Sequence, residues 1–297
     1  MHADPPQLRA TFFVIGGSLA AHPQLWDIVA AGHELGNHSW RHSRLQPFFA
    51  VCDQEREIGR VDLQNANVGA QKGATMDEIS LAGDRSLGPV SGLLQRPEAA
   101  FALYVMAHGA GADMRHVFMQ ALADALEALG VATLRFNFPY TERRRRAPDP
   151  QPVLQAYVRS VCADARRLAP ELALFAGGKS LGGRVTSNAF AHEPIAGVRG
   201  LVFLGFPLHA AKQPGRSRAE HLRAVTAPML FLQGTRDDLA DLALMRAVCG
   251  ELGARATLRE IDGANHSFAL KKSSGRSDDE VRKELAALTA DWLRPLT

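Results

Sequence analysis

The chain has 297 residues, of which 46% are apolar and 22% are charged, and its formal net charge is +3. These proportions are typical of a folded globular protein and exclude a disordered or fibrous chain. The nearly balanced charge gives no support for a nucleic-acid partner. The three cysteines are widely spaced and form neither a disulfide framework nor a CxxC metal motif, so we expect a reducing, cytoplasmic setting.

The first apolar run, at residues 10–21, follows Arg9 and has the outline of a secretion signal. Two prolines precede the run and the pair Gly16-Gly17 interrupts it, which favours a buried strand at 10–15 over a cleaved leader. No apolar run reaches the roughly 18 residues that a membrane span requires. We therefore expect no membrane partner.

Elements of regular structure follow in chain order. A helix is predicted at 23–31, and residues 67–85 are polar and contain glycine, as expected of a linker. Strands are predicted at 102–107, 131–138, 172–176, 198–206, 228–233 and 256–261, and helices at 116–129, 152–168, from about 181, at 239–252 and at 278–293. This alternation predicts an α/β fold in which helices cover both faces of a mostly parallel sheet. Such sheets carry their chemistry at the carboxyl ends of the strands.

The sharpest motif is GKSLG at residues 178–182, between a predicted strand and a predicted helix. A serine in this context stands on a tight turn, where Gly178 and Gly182 allow the chain to pass close to itself. The turn would lift the Ser180 hydroxyl above the sheet, and the backbone amide of Leu181 would face a developing oxyanion. We predict Ser180 as a nucleophile; a glycine-rich turn with a surface serine is the alternative.

A serine hydroxyl needs a base to remove its proton, and that base is commonly a histidine oriented by an acid. His266 follows the predicted strand at the end of the sheet and comes after Ser180 and a candidate acid, in the chain order expected for this motif. Asp237 is the predicted acid. Asp238 remains an alternative because one of these two neighbours can cap the next helix, and Asp262 is a weaker rival.

A second oxyanion donor is expected in the loop after an early strand. The sequence HGAG at residues 108–111 follows the strand predicted at 102–107, and its glycines let backbone amides approach a bound carbonyl. We predict Ala110 as this donor, with a plain glycine turn as the alternative.

Four consecutive arginines at residues 143–146 follow the next predicted strand. At the mouth of a site they would attract carboxylate or phosphate groups. Charge runs of this kind are more often solvated loops, which is the interpretation that we prefer.

Together these motifs resemble the α/β-hydrolase superfamily, in particular small members without a lid that are related to dienelactone hydrolase. The resemblance covers about residues 86–295 and rests on HGAG, GKSLG, GTRD at 234–237 and NHSF at 265–268. It implies a catalytic triad of the three residues proposed above. Dienelactone hydrolase has a cysteine nucleophile, so its substrate does not transfer to a chain with Ser180. The segment at 206–225 is short where lipid-binding members insert a cap, which implies an open site.

The N-terminal segment resembles the NodB-homology domain of polysaccharide deacetylases over about residues 9–50, through ATFFVIG at 10–16 and HSWRH at 38–42. The family's two motif histidines bind a divalent metal, usually zinc, and correspond to His38 and His42. Their spacing can place both imidazoles on one side of a helical turn. The paired aspartates of that family, which supply a third ligand and a base, are missing here. We therefore expect a truncated segment without zinc, and no cofactor for the chain.

We predict a serine hydrolase that cleaves a small ester, thioester or related acyl bond of a small-molecule substrate. RFNFPY at 135–140 also resembles poorly characterised hydrolase-like proteins that include regulatory subunits, so a non-catalytic interaction protein is one alternative. A metal-dependent polysaccharide deacetylase is the second. The predicted organisation is a partial NodB-like segment at 1–66, a linker at 67–85 and an α/β-hydrolase domain at 86–297.

Overall fold

The computed structural model describes residues 11–15, 34–38, 75–84 and 88–297. The chain divides into two units, Met1–Asn67 and Val68–Thr297. In the first unit, β1 (Thr11–Ile15) pairs in parallel with β2 (Glu34–His38). β1 agrees with the strand predicted at 10–15, whereas the helix predicted at 23–31 lies outside the described residues.

One sheet of eight strands forms the framework of the second unit. Its strands are β3 (Thr75–Asp84), β4 (Gly88–Arg96), β5 (Ala102–Ala107), β6 (Val131–Phe136), β7 (Ala173–Lys179), β8 (Val198–Leu204), β9 (Met229–Gly234) and β10 (Ala256–Ile261). Their spatial order is β10-β9-β8-β7-β5-β6-β4-β3. The strands from β5 to β10 run parallel, while β3 and β4 are antiparallel additions at one edge.

Helices cover both faces of this sheet. They are α1 (Val117–Glu127), α2 (Pro139–Glu142), α3 (Gln151–Leu168), α4 (Leu181–His192), α5 (Leu242–Leu252) and α6 (Asp278–Leu293). On one face α3, α4 and α5 pack around strand residues such as Leu103 and Val105. On the other face α1 and α6 pack around Tyr104 and Met106, the alternate residues of the same strand. Because both faces are covered, β5 is buried along its whole length and forms one continuous apolar run.

The predicted α/β architecture is confirmed: the sheet is mostly parallel and carries helices on both faces. Each strand and helix predicted beyond residue 100 overlaps an observed one, with small differences at the ends. Within the described parts of the chain, no helix has the length and hydropathy that a membrane span requires.

The prediction of a linker at 67–85 is wrong for residues 75–84, which form the edge strand β3 and pair with β4. Only Ile79 and Leu81 carry apolar side chains toward a covered face, where α3 packs across the strand, and Leu81 is the buried one of the two. The backbone amide of Ala82 also donates to the buried carboxylate of Asp164 in α3, at 2.8 Å. An edge strand needs few apolar residues, so its polar composition is that of a linker.

A tight backbone crossing links the end of β7 to β5. Gly178 has φ of 142°, and a Cβ built there would lie 2.1 Å from the carbonyl oxygen of Ala107. A Cβ on Gly182 would lie 2.3 Å from the same oxygen. No side chain fits at such distances, so both glycines predicted from the sequence are required by the path of the backbone.

We expect Gly178→Ala to lower the free energy of unfolding by about 3 kcal/mol or more, because the new methyl group collides with backbone that cannot move aside. Gly250→Ala in α5 is the matched control, since a Cβ there meets nothing within 4 Å. It should leave stability unchanged or raise it by up to about 1 kcal/mol. Urea unfolding measures both; equal stabilities of the two variants would contradict the proposed crowding.

Candidate active site

Ser180 stands between β7 and α4, at the carboxyl edge of the parallel sheet. Its φ of 49° and ψ of −111° lie in a region that non-glycine residues rarely adopt. The backbone amide of Ser180 donates to the carbonyl of Leu204 at the end of β8, 3.1 Å away, which holds the turn in place. A strained residue of this kind persists only where its surroundings fix it, and such residues cluster at functional sites.

His266 lies in the loop after β10 and contacts both predicted partners. Its Nε2 is 2.9 Å from the Oγ of Ser180, and its Nδ1 is 2.8 Å from an Oδ of Asp237. The side chain of Asn265 shapes the loop by accepting from the backbone amides of Ser267 and Ala269, at 2.9 and 3.0 Å. The fold thus brings together three side chains that are separated by 86 and 29 positions along the chain.

Asp237 is buried, and its carboxylate accepts two hydrogen bonds besides that of His266. The backbone amide of Leu239 donates to one oxygen at 2.8 Å, and the amide of the Gln233 side chain donates to the other at 2.6 Å. Asp238 is exposed to solvent, and Asp262 is 3.4 Å from the hydroxyl of Thr235 rather than near the imidazole. Of the three candidate acids, Asp237 is therefore the one that the structure brings to His266.

Gln233 is a site residue that the sequence analysis missed. It is the penultimate residue of β9 and the one polar side chain in the run MLFLQG, and it is fully buried. While its amide nitrogen donates to Asp237, its carbonyl oxygen accepts from the backbone amide of Phe206 at 3.0 Å. A single amide thus fixes the carboxylate relative to the turn after β8. A buried glutamine at the carboxyl end of a strand was the available signal, because buried polar groups need partners.

The two predicted oxyanion donors lie on segments that meet at Ser180: Leu181 is the first residue of α4, and Ala110 belongs to the HGAG loop. A Cβ built on Gly109 would be 3.7 Å from the Cβ of Ser180, so the HGAG loop lies directly beside the serine. Among the residues that the structure describes, the backbone amides of Leu181 and Ala110 donate to no protein acceptor. Two free backbone amides on adjoining segments are the arrangement that the binding of an oxyanion requires.

His108, the first residue of the HGAG loop, fixes the position of that loop through its side chain. Its imidazole is fully buried, with Nδ1 2.8 Å from the carbonyl oxygen of Gly109 and Nε2 accepting from the backbone amide of Phe138 at 3.2 Å. Burial lowers the pKa of His108, although the Gly109 carbonyl opposes this effect. A neutral ring that donates from Nδ1 and accepts at Nε2 fits both contacts and ties the loop to the segment after β6.

Lys179, the residue before the serine, is a second site residue that the sequence analysis missed. Its half-buried ammonium donates to the backbone carbonyl of His266 at 2.6 Å and lies 5.4 Å from the centre of the Phe268 ring. Burial lowers the pKa of Lys179 to about 8, and the negative charge of Asp237 acts in the opposite direction. The lysine therefore anchors the loop that carries the imidazole.

An open cleft of about 320 Å³ lies in front of the serine. Ser180 and His266 form one wall, and Ala110, Phe118 and Leu239 contribute to the others. All four arginines of the run at 143–146 are exposed and none lines this cleft, as expected of a solvated loop.

Of the two predicted metal-binding histidines, only one lies among the described residues. His38 is the last residue of β2, paired with Ile15, while His42 lies outside the described residues. In the described segments, no group of three or more His, Cys, Asp or Glu side chains is arranged to hold a metal ion.

Comparison with known families assigns most of the chain. A family model described as an alpha/beta hydrolase domain matches residues 100–294, so the chain belongs to the alpha/beta hydrolase family. This confirms the resemblance found in the sequence and supports a hydrolase. A second model, described as polysaccharide deacetylase, matches residues 5–74, where the NodB-like motifs lie.

Solved structures show the same fold. An α/β serine hydrolase without a lid from Xanthomonas campestris is 22% identical and has a TM-score of 0.58, over 73% of this chain and 94% of the other. Dienelactone hydrolase from Anabaena variabilis is 20% identical with a TM-score of 0.59, over 75% of this chain and 98% of the other. At these identities the likeness establishes architecture and leaves the substrate undetermined.

One curated relative is named after an activity other than hydrolysis. A putative phosphoribosyl transferase of Mycobacterium tuberculosis is 27% identical over 208 residues, which are 69% of this chain and 43% of the relative. The chain thus spans less than half the length of that protein. The name describes the longer protein, and the activity of the present chain has to be argued from its own site.

The lowered pKa of Lys179 makes stability depend on pH. Between its folded-state value of about 8 and its ordinary value of 10.5, the unfolded chain binds more protons at this position, so the free energy of unfolding rises with pH. Relative to Lys179→Met, the wild type should gain roughly 2 kcal/mol between pH 7 and pH 10.

Urea unfolding at several pH values measures this difference. Lys283→Met, which removes an exposed lysine on α6, is the control and should follow the wild-type pH profile. Parallel profiles of wild type and Lys179→Met would contradict the burial of a charged ammonium at this site.

Proposed function

We propose that this protein is a serine hydrolase that cleaves a small ester, thioester or related acyl bond. The observation that carries the proposal is the chain of hydrogen bonds from the hydroxyl of Ser180 through the imidazole of His266 to the carboxylate of Asp237, at 2.9 and 2.8 Å. It lies at the carboxyl edge of the sheet of an alpha/beta hydrolase family member, beside two free backbone amides.

Acylation begins when Nε2 of His266 takes the hydroxyl proton of Ser180 as Oγ attacks the acyl carbon. A bond forms between Oγ and that carbon, and the carbonyl electron pair moves onto its oxygen. The amides of Leu181 and Ala110 donate to the resulting oxyanion. When the oxyanion collapses, the bond to the leaving group breaks, and the leaving oxygen or sulfur takes the proton from His266. The product is an acyl-enzyme at Ser180.

Deacylation uses the same groups in reverse. His266 removes a proton from a water molecule that attacks the acyl carbon, and the bond to Oγ breaks as that oxygen regains its proton. Asp237 holds the tautomer of the imidazole and stabilises its charged form in both halves of the cycle. Gln233 keeps the carboxylate oriented through its bond of 2.6 Å. The proposed reaction requires no cofactor, since each step transfers a proton between groups already present.

An active-site probe tests the nucleophile directly. A fluorophosphonate should label the wild type, label His266→Ala more slowly, and leave Ser180→Ala unlabelled, because the probe reacts with an activated serine. Labelling of Ser180→Ala at the wild-type rate would reject the proposal. If the wild type itself is neither labelled nor active on esters, the alternative of a non-catalytic interaction protein is favoured.

The two neighbouring aspartates provide a matched pair of variants. Asp237→Asn should lower kcat for 4-nitrophenyl acetate by about 10³- to 10⁴-fold, because the amide stabilises the wrong tautomer of His266 and cannot balance its charge. Asp238→Asn removes the same charge from an exposed position and should leave kcat within about twofold of wild type. Equal losses in the two variants would show that Asp237 is not the acid.

The size of the cleft favours short acyl groups. Its volume of about 320 Å³ is at the lower end of the range typical of ligand pockets, and the segment between β8 and β9 contains one short 3₁₀ helix rather than a cap of several helices. We expect kcat/KM for 4-nitrophenyl butyrate to exceed that for 4-nitrophenyl palmitate by at least about tenfold, measured below the aggregation limit of the long ester. A preference for palmitate would reject the small-substrate assignment.

The family match at residues 5–74 favours a second candidate function, polysaccharide deacetylation by the N-terminal unit. The two candidates respond to different treatments. Release of acetate from an acetylated chitin oligomer that is abolished by a chelator and retained in Ser180→Ala would support the second. Acetate release that is lost in Ser180→Ala and unaffected by chelator would assign the activity to the serine site.

A further inference from the structure

Two arginines lie on elements that pack against each other, one of them the helix that begins at the serine. Arg184 belongs to the first turns of α4, four residues after Ser180, which places the two Cα atoms about 6 Å apart along the helix. Arg218 belongs to the short 3₁₀ helix Ser217–Ala224, which packs against α4. His221 of that short helix contacts α4 through Nε2, 2.7 Å from the hydroxyl of Ser187.

The pair carries positive charge without a compensating carboxylate. Among residues 88–297, neither Arg184 nor Arg218 forms an ion pair, whereas Arg216 and Arg223 nearby both pair with Glu251. The Nε of Arg184 is buried and has no hydrogen-bond partner in the described part of the chain. A buried guanidinium N–H without an acceptor is costly, and in native proteins it commonly marks the place of an ion or water.

The electrostatic environment agrees with this geometry. Burial lowers the pKa of Arg184, and repulsion from Arg218 lowers it further. Burial, with a smaller contribution from the charge of Arg184, lowers the pKa of His221 to about 4, so the ring is neutral at pH 7 and adds no third charge. The site therefore holds two cations beside a neutral imidazole, and an anion would relieve the repulsion between the cations.

Neither arginine lines the cleft itself, but each is linked to a residue that does. Arg218 donates to the carbonyl of His209 at 2.8 Å, and the amide of His209 donates to the carbonyl of Leu239 at 3.1 Å. Leu239 lines the cleft in front of Ser180. Arg184 is one helical turn from Ser180, and Arg218 is connected to the cleft wall through two successive hydrogen bonds, one from its side chain and one between backbone groups.

We propose that Arg184 and Arg218 form an anion-binding subsite that selects acyl substrates with a carboxylate or phosphate group at the end remote from the scissile bond. As a statement about substrate class, this inference rests on the proposed function. A guanidinium offers paired N–H donors to such groups, and Nε of Arg184 would gain the acceptor that it lacks.

The test compares a neutral and an anionic ester, 4-nitrophenyl acetate and the mono-4-nitrophenyl ester of succinic acid. We expect the ratio of kcat/KM for the anionic over the neutral ester to fall at least about tenfold in Arg184→Gln and in Arg218→Gln, mainly through KM. Arg184→Lys should recover part of the ratio. Arg223→Gln removes the same charge from the same short helix and should leave the ratio at its wild-type value.

A ratio that is unchanged in both arginine variants, or that falls equally in Arg223→Gln, would overturn the subsite. The use of two separate variants keeps the test valid if one of them does not fold. A ratio that falls only in Arg184→Gln and Arg218→Gln would support the subsite.

A binding measurement separates this proposal from the proposed function. In Ser180→Ala, which cannot turn over ester, inorganic phosphate should raise the melting temperature, and the additional change Arg184→Gln should abolish that shift. If the wild type hydrolyses neither ester but this phosphate effect is found, the hydrolase function fails and the arginine pair stands as an anion-binding site without the selection of acyl substrates. If esters are hydrolysed and phosphate stabilises neither protein, the subsite fails and the hydrolase function stands.

Discussion

The site depends on one steric constraint, the close contact between the turn at Ser180 and the neighbouring strand β5. The carbonyl oxygen of Ala107 occupies the space that a Cβ of Gly178 or Gly182 would need. Because the backbone has no freedom there, Ser180 is held at a positive φ and its hydroxyl is directed away from the sheet. The HGAG loop continues from Ala107, so the same contact also brings Gly109 of that loop next to the serine.

A buried polar network positions the proposed base, His266, with comparable precision. Gln233 fixes the carboxylate of Asp237, the carboxylate contacts one nitrogen of His266, and Lys179 holds the backbone carbonyl of the same histidine. These groups come from β9, the loops after β9 and β10, and the end of β7. Each buried donor in the network has an acceptor, which makes the arrangement rigid as well as stable. A loop held at both its side chain and its backbone can present an imidazole to a hydroxyl without further reorganisation.

The sequence predicted those parts of the site whose residue types and chain order are specific to one kind of chemistry. A glycine-flanked serine after an apolar strand, followed by an aspartate and a histidine after later strands, was enough to identify the residues that the fold brings together. The choice between Asp237 and Asp238 depended on side-chain direction in a turn, which spacing alone does not determine. Gln233 and Lys179 act through contacts with distant segments, so only the three-dimensional structure reveals their partners.

The fold was predicted best where both faces of the sheet are covered, because burial on two sides imposes long apolar runs such as β5. The sequence of β3 is typical of a linker because this edge strand buries Leu81 and a part of Ile79, while the other side chains described in it are exposed to solvent. The arginine run at 143–146 is a dense cluster of charge in the sequence, but its side chains are exposed to solvent. Arg184 and Arg218 are separated by 33 intervening positions, and only packing of the short helix on α4 brings them together.

The charges around the serine also differ in how they are balanced. The ammonium of Lys179 is desolvated, but a carbonyl, an aromatic face and the nearby carboxylate of Asp237 offset that cost. Arg184 is desolvated as well, and its neighbours are a second cation and a neutral imidazole. The folded protein therefore supplies groups that balance the charge of the lysine, whereas it supplies none that balance the charges of the arginine pair. An uncompensated pair of cations, one of them a helical turn from Ser180, is stabilised when a ligand supplies the missing negative charge. The proposed binding of an anionic acyl group is thereby coupled to the electrostatics of the fold itself.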